Sequence, residues 1–170
     1  MKTIKVLLII ISTLVVAFLA TGLLVQQTNY SATVSIDKPV DEVFSNFMQI
    51  DSVKNWIPDI KSVKAVHINP GITGSVYDVV VLNQGQEIAM TEKIMAYVLN
   101  EKVTLFYDAE NMLKKDDYLF YEENGITTIT LNAACQSESF IMACMFPYFR
   151  GTFQAQDQSY LNNFKRLLEE

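Results

Sequence analysis

Val34-Ser35-Ile36-Asp37-Lys38-Pro39-Val40-Asp41-Glu42-Val43-Phe44 holds a change of period that decides how the chain begins to fold. Up to Ile36, Tyr30, Ala32, Val34 and Ile36 alternate with Ser31, Thr33 and Ser35. A period of two is what a strand buried on one face requires. After Pro39 the spacing changes, and Val40, Val43, Phe44 and Phe47 recur at i, i+3, i+4 and i+7, one stripe of a helix. Pro39 stands at the junction, because its fixed φ suits the first turn of a helix. Asp41 and Glu42 then occupy that first turn, where carboxylates complement the helix dipole. A second short helix is predicted over residues 52–56, with Asp51 as N-cap and Pro58 as terminator.

Downstream, the alternation predicts strands over residues 60–68, 74–82, 87–97, 102–108, 114–122 and 125–136. Turn-forming groups separate several of them: Asn69-Pro70-Gly71, Asn83-Gln84-Gly85, Leu99-Asn100-Glu101 and Asn124-Gly125. Links this short force antiparallel neighbours, since a parallel crossover needs about a dozen residues or more. The chain closes in helix. Residues 139–146 are apolar almost throughout, and Pro147 is expected to break or kink the helix there. Beyond it, Phe149, Phe153, Tyr160, Leu161, Phe164, Leu167 and Leu168 fall on one side. Strands run together and helices are segregated, which is the α+β pattern.

Upstream lies a different composition. Residues 6–25 read VLLIIISTLVVAFLATGLLV, 20 positions without a charge. A helix of this length crosses about 30 Å of hydrocarbon. Residues 1–26 are therefore expected to be a membrane anchor, and residues 30–170 one domain. A cleaved signal peptide is the competing reading, with Ala20 and Gly22 suited to a cleavage site, but Leu23, Leu24 and Val25 carry the apolar run past it. Lys2 and Lys5 precede the segment, and no Lys or Arg follows until Lys38. That bias predicts a cytoplasmic N-terminus and an extracytoplasmic domain. Without Lys2 and Lys5, 11 of the 13 basic residues remain against 19 acidic ones, a net of −8. So acidic a domain is unsuited to nucleic acid.

The order of elements and the residues that mark them resemble the START-like superfamily, also labelled SRPBCC or polyketide cyclase/dehydrase-like. Four stretches carry the likeness: residues 34–44 quoted above; Trp56-Ile57-Pro58; Pro70-Gly71-Ile72-Thr73-Gly74-Ser75 with Met90-Thr91-Glu92-Lys93-Ile94; and the closing helix over residues 160–169. The resemblance implies a helix-grip fold, a curved seven-stranded antiparallel sheet wrapped around a long C-terminal helix. It also implies a cavity between sheet and helix for lipids, sterols, polyketides or other apolar molecules. Some similar proteins are cyclases or hydrolases, and no catalytic motif transfers onto this chain. Neither a cofactor nor a metal is expected.

The residues themselves offer little to catalysis. His67 is the single His, sits beside a turn, and reads as a solvent-edge residue. Two cysteines and one isolated His make no zinc site without further ligands. Cys135 and Cys144 are open to two readings, a disulfide or two buried thiols. Glu92 and Asp78 interrupt apolar strand patterns. Either carboxylate, if held in an apolar cavity, would be a general acid or base with a raised pKa; on the solvated side it would be neither. The expected lining of such a cavity draws on large aromatics and Met: Trp56, Tyr77, Met90, Phe106, Tyr107 and Met145, with Glu92 among them. On the last strand Leu131, Ala133 and Cys135 share a face, and their shrinking size leaves room opposite the helix. Three functions follow from this reading: a membrane-tethered module for an apolar small molecule or lipid, a cyclase or hydrolase using a cavity carboxylate, or a closed-core interaction scaffold.

Overall fold

Thr28–Ile36 forms strand β1 with strict alternation of buried and exposed residues, as the sequence period demands. These elements belong to a computed structural model that describes residues 2–83 and 85–170. Met1, at the edge of the expected anchor, and Gln84, in the expected Asn83-Gln84-Gly85 turn, lie outside the described residues. Helix α1 (Lys2–Leu24) precedes β1, and helix α2 (Val40–Phe47) follows it, entered through Pro39 in extended conformation. A 3-10 turn over Ile50–Ser52 leads into the single-turn helix α3 (Val53–Trp56). Asp51 lies inside that turn and Ser52 takes the N-cap position without a side-chain bond, so the expected Asp51 cap is corrected.

Six more strands follow: β2 (Ile60–His67), β3 (Val76–Asn83), β4 (Gln86–Val98), β5 (Lys102–Ala109), β6 (Met112–Glu123) and β7 (Ile126–Gln136). They form one antiparallel sheet in the order β1-β7-β6-β5-β4-β3-β2. Each of β2 to β7 pairs with its sequence neighbour, and β1 closes beside β7. The β6–β7 link is the two-residue turn Asn124-Gly125, with φ of 54° and 78°. Positive φ at both central positions gives a turn whose twist matches the strands, and Asn-Gly tolerates it best.

Helix α4 (Phe140–Glu169) runs for 30 residues without a break. Pro147 lies inside it and does not end it, contrary to a break at that position. Lacking an N–H, Pro147 cannot bond the Ala143 carbonyl, but a helix packed along its length survives one missing bond.

The second half of α4 closes the fold with aromatic rings. The Phe47 ring lies 4.8 Å from Tyr118, 5.3 Å from Phe120, 5.7 Å from Phe164 and 5.5 Å from Trp56, centroid to centroid. Phe44, Phe164, Ile129 and Leu131 are almost completely buried around them. Rings offset or edge-on in this way add to the area they bury. One end of the space between sheet and helix is therefore filled. α1 packs against the first turns of α4: Thr21 Oγ1 donates to the Cys144 carbonyl at 3.1 Å, and the Phe18 and Tyr148 rings stack at 6.1 Å. The remainder of α1 is exposed and is long and apolar enough to cross a membrane, a property that a signal sequence shares.

Candidate functional site: a cleft with a charged floor

Away from the aromatic plug, α4 is tied to β1 through Arg150 and Gln154, and a cleft of about 820 Å³ lies between it and strands β3 to β6. Its apolar walls come from Val79 and Val81 on β3, Met90 on β4, and Met142, Met145 and Phe153 on α4. A concave space of this size with a few convergent polar groups is the usual form of a small-molecule site.

Those polar groups are not the ones the sequence singled out. On β6, burial alternates so that Lys114, Asp116 and Tyr118 face the helix while Lys115 and Asp117 face away. Asp157, on α4, meets them from the other side. Lys114 Nζ donates to Asp116 Oδ2 and to Asp157 Oδ2, each at 2.8 Å. The Tyr30 hydroxyl, from β1, donates to Asp157 Oδ2 at 2.7 Å. Side-chain exposure is 15% for Lys114, 2% for Asp116 and 8% for Asp157, so three charges lie out of water. Asp116 Oδ1 is buried and has no hydrogen-bond partner in the protein.

Burial and pairing act in opposite directions on these groups. Burial pushes the Asp116 carboxyl up to about 6, against the pull of the Lys114 ammonium. Burial alone would lower Lys114, but Asp116 and Asp157 outweigh it and hold the amine firmly charged. Burial and then the Asp157 charge raise Tyr30, so its hydroxyl keeps the proton it donates. Burial likewise raises the Cys135 thiol to about 11.

The residues expected from sequence scatter. Met90, Tyr107, Cys135 and Met145 line the cleft. Glu92 lies half-buried on the inward face of β4, in register with Tyr107 on β5. Burial pushes its carboxyl up to about 7, against an opposing effect of the Tyr107 hydroxyl. Trp56 belongs to the aromatic plug, and its indole N–H meets no acceptor. Leu131 and Ala133 are buried in the same core, and Tyr77 sits in a smaller cluster with Val79 and Ile94. Phe106 is on the opposite face of β5 from Tyr107, between Lys93 and Lys115 in register, because consecutive strand residues point opposite ways. Asp78 is exposed on β3. His67 is exposed too, with Nε2 3.2 Å from Asn69 Oδ1. Cys135 and Cys144 are free and buried, Cys144 against α1. Among the described residues, no group of three or more His, Cys, Asp or Glu could hold a metal ion.

Two signals for the missed cluster stand in the sequence. The doubled Lys114-Lys115-Asp116-Asp117 reads as a solvated charge run until the period of two is applied across it. Asp157 falls four residues after Phe153 and four before Leu161, the position where the apolar stripe of α4 is interrupted.

No protein-family model matches the sequence, and no curated protein does. Solved structures do match in shape. A protein of Thermus thermophilus superposes with a TM-score of 0.69 at 13% identity, over 81% of this chain and 94% of that one. A START superfamily protein from Mycobacterium smegmatis gives 0.69 at 13% identity, over 82% and 98%. The Zhui aromatase/cyclase from Streptomyces sp. R1128 gives 0.64 at 11% identity, over 83% and 96%. With the seven-stranded sheet and the long closing helix, these matches show that the chain has the START-like helix-grip fold.

Proposed function

We propose that residues 30–170 form a binding module for an apolar small molecule or lipid, held at a membrane by α1. The observation that carries this reading is the cleft itself: about 820 Å³, walled by Met and aromatic side chains, on a fold whose interior is elsewhere tightly packed. A concave space of this size with largely apolar walls is the form that small-molecule sites usually take. A closed-core scaffold is correspondingly disfavoured.

Tethering is supported by the exposed apolar length of α1 and by its place in the fold. The first turns of α4 present Met142 and Met145 to the cleft and Cys144 to α1. Only one helix separates the cleft from the tether. Lys2 and Lys5 support an orientation with the N-terminus in the cytoplasm.

The test is extraction of the purified full chain with organic solvent followed by mass spectrometry, together with titration by the neutral dye Nile red in phosphatidylcholine nanodiscs. A co-purifying apolar compound, or saturable Nile red binding above that of empty discs, is expected. A chain that is repeatedly empty and binds no dye refutes the reading.

Glu92 favours a second reading, an enzyme of the cyclase or hydrolase kind. A carboxyl pushed up to about 7 is suited to give and take a proton near neutral pH. Glu92→Gln separates the two functions: ligand binding survives it, and general acid–base turnover does not.

A further inference from the structure

We propose that the cleft selects an apolar molecule bearing a positively charged amine, whose N–H groups are received by Asp116 at the charged floor beside Lys114, Asp157 and Tyr30. This inference rests on the ligand-binding reading above and names the chemical class of the ligand.

Two independent observations lead to it. The first is the unmatched acceptor. Lys114 commits one bond to each carboxylate, and Tyr30 donates to Asp157 Oδ2, the oxygen that Lys114 also serves. Asp116 Oδ1 is left buried in the wall of the cleft without a donor. Buried polar atoms are almost always paired, so an orphan on a residue that lines a cleft points to a donor that a ligand could bring within reach. Only a group that carries N–H or O–H fills that position.

The second observation is charge. Among the described residues that line the cleft, Asp59, Glu87, Glu110, Asp116 and Asp157 are acidic, and Lys114 alone is basic. Glu87 is answered by Lys61 outside the cleft, and Asp59 accepts from Tyr160 and Gln156. The floor itself counts one ammonium against two carboxylates. Glu92 and the hydroxyls of Tyr107 and Tyr118 also face the cleft side of the sheet, adding no cation. A carboxylate or phosphate headgroup would arrive beside two carboxylates that already share the Lys114 charge, with one N–H of that ammonium left over. An ammonium supplies the donor that Asp116 lacks and balances the excess negative charge.

The experiment uses the full chain in phosphatidylcholine nanodiscs and measures displacement of Nile red by decylamine, decanol and decanoate, three probes with one chain length and different headgroups. Decylamine is expected to displace the dye at a concentration at least tenfold lower than decanoate, with decanol between them. In Asp116→Asn the advantage of decylamine over decanol is expected to fall at least fivefold. The triple variant Lys114→Met/Asp116→Leu/Asp157→Leu replaces the charges with apolar groups of similar size and gives the same readout should the single variant not fold. Equal potency of the three probes, a preference for decanoate, or an amine preference that survives the triple variant overturns the inference. No displacement by any probe, with no saturable binding of the dye, instead sinks the ligand-binding reading on which it rests.

Discussion

Replacing Lys114 by Met is the perturbation that bears hardest on the floor of the cleft. Lys114 makes two charged hydrogen bonds of 2.8 Å, to carboxylates that are 2% and 8% exposed. Met keeps most of the volume and removes the charge, which strands Asp116 and Asp157 together out of water. Removing one partner of a buried ion pair costs about 3–5 kcal/mol. With a urea dependence of about 2 kcal/mol per molar for a domain of this size, the unfolding midpoint moves down by about 2 M. Trp56, the single Trp, reports the transition from within the aromatic plug, 5.1 Å from the Phe164 ring. The sign of the pH dependence is fixed by Asp116. Its folded pKa of about 6 is raised above the ordinary value of 3.8. The folded state therefore holds that proton more tightly than the unfolded chain. Its contribution to stability is fullest below the ordinary value and fades as pH climbs through about 6. Lys114 opposes the rise, so without it the carboxyl moves higher still. The loss in the Met variant is thus largest at about pH 8 and narrows towards about pH 5. A midpoint unchanged at high pH, or a loss that grows on acidification, refutes the buried ion pair.

Three further outcomes follow from other parts of the molecule. Glu92, raised from 4.5 to about 7 by burial, makes the folded state less stable as pH rises across that interval; Glu92→Gln should flatten this part of the urea-midpoint profile, and an unaltered profile would place the carboxyl in water. Gly125→Ala meets no atom within 4 Å but must hold φ at 78°, so it should cost about 1 kcal/mol through the backbone alone in urea unfolding; a neutral result would mean the turn relaxes. Gly22→Leu should force α1 away from α4, because even a Cβ at that position collides with Cys144 Sγ. Maleimide labelling of Cys144 in the folded protein, located by peptide mass, should then become at least tenfold faster, and an unchanged rate would show that the two helices do not depend on this contact.

Most of the fold is legible because its elements follow simple periods. β1, α2 and the Asn124-Gly125 hairpin stand where alternation, a helical stripe and a paired turn signal put them. The helix ends are less so. Asp51 resembles a cap, but the chain enters α3 through a 3-10 turn, and Pro147 resembles a stop but is absorbed by a long packed helix. The site is least legible. Glu92, Met90 and Tyr107 can be picked out as polar or bulky residues within strand patterns. Phe106 and Tyr107 look alike by composition, yet neighbours on a strand face opposite ways, and only Tyr107 reaches the cleft. Lys114, Asp116 and Asp157 escape notice for a different reason. A charge is ordinarily a surface residue, and nothing in a local window shows that three charges from β6 and α4 will meet out of water. Their pairing is a long-range event.

That pairing also bears on why the cluster exists. A buried ion triad is a poor device for stability, since apolar groups of the same size often hold a core equally well or better. The rest of this interior uses the better device: Phe44, Phe47, Phe120 and Phe164 close the far end of the sheet without a charge. Had the only requirement been to keep α4 on the sheet, extending that aromatic packing across β6 would have sufficed, and the cleft would have closed. Instead Lys114 and Asp157 join β6 to α4 by their side chains across the cleft, which holds the helix in place while the space beside it stays open. An open space and a charged floor are thus two results of one arrangement. The unmatched oxygen of Asp116 is where that arrangement lacks a donor.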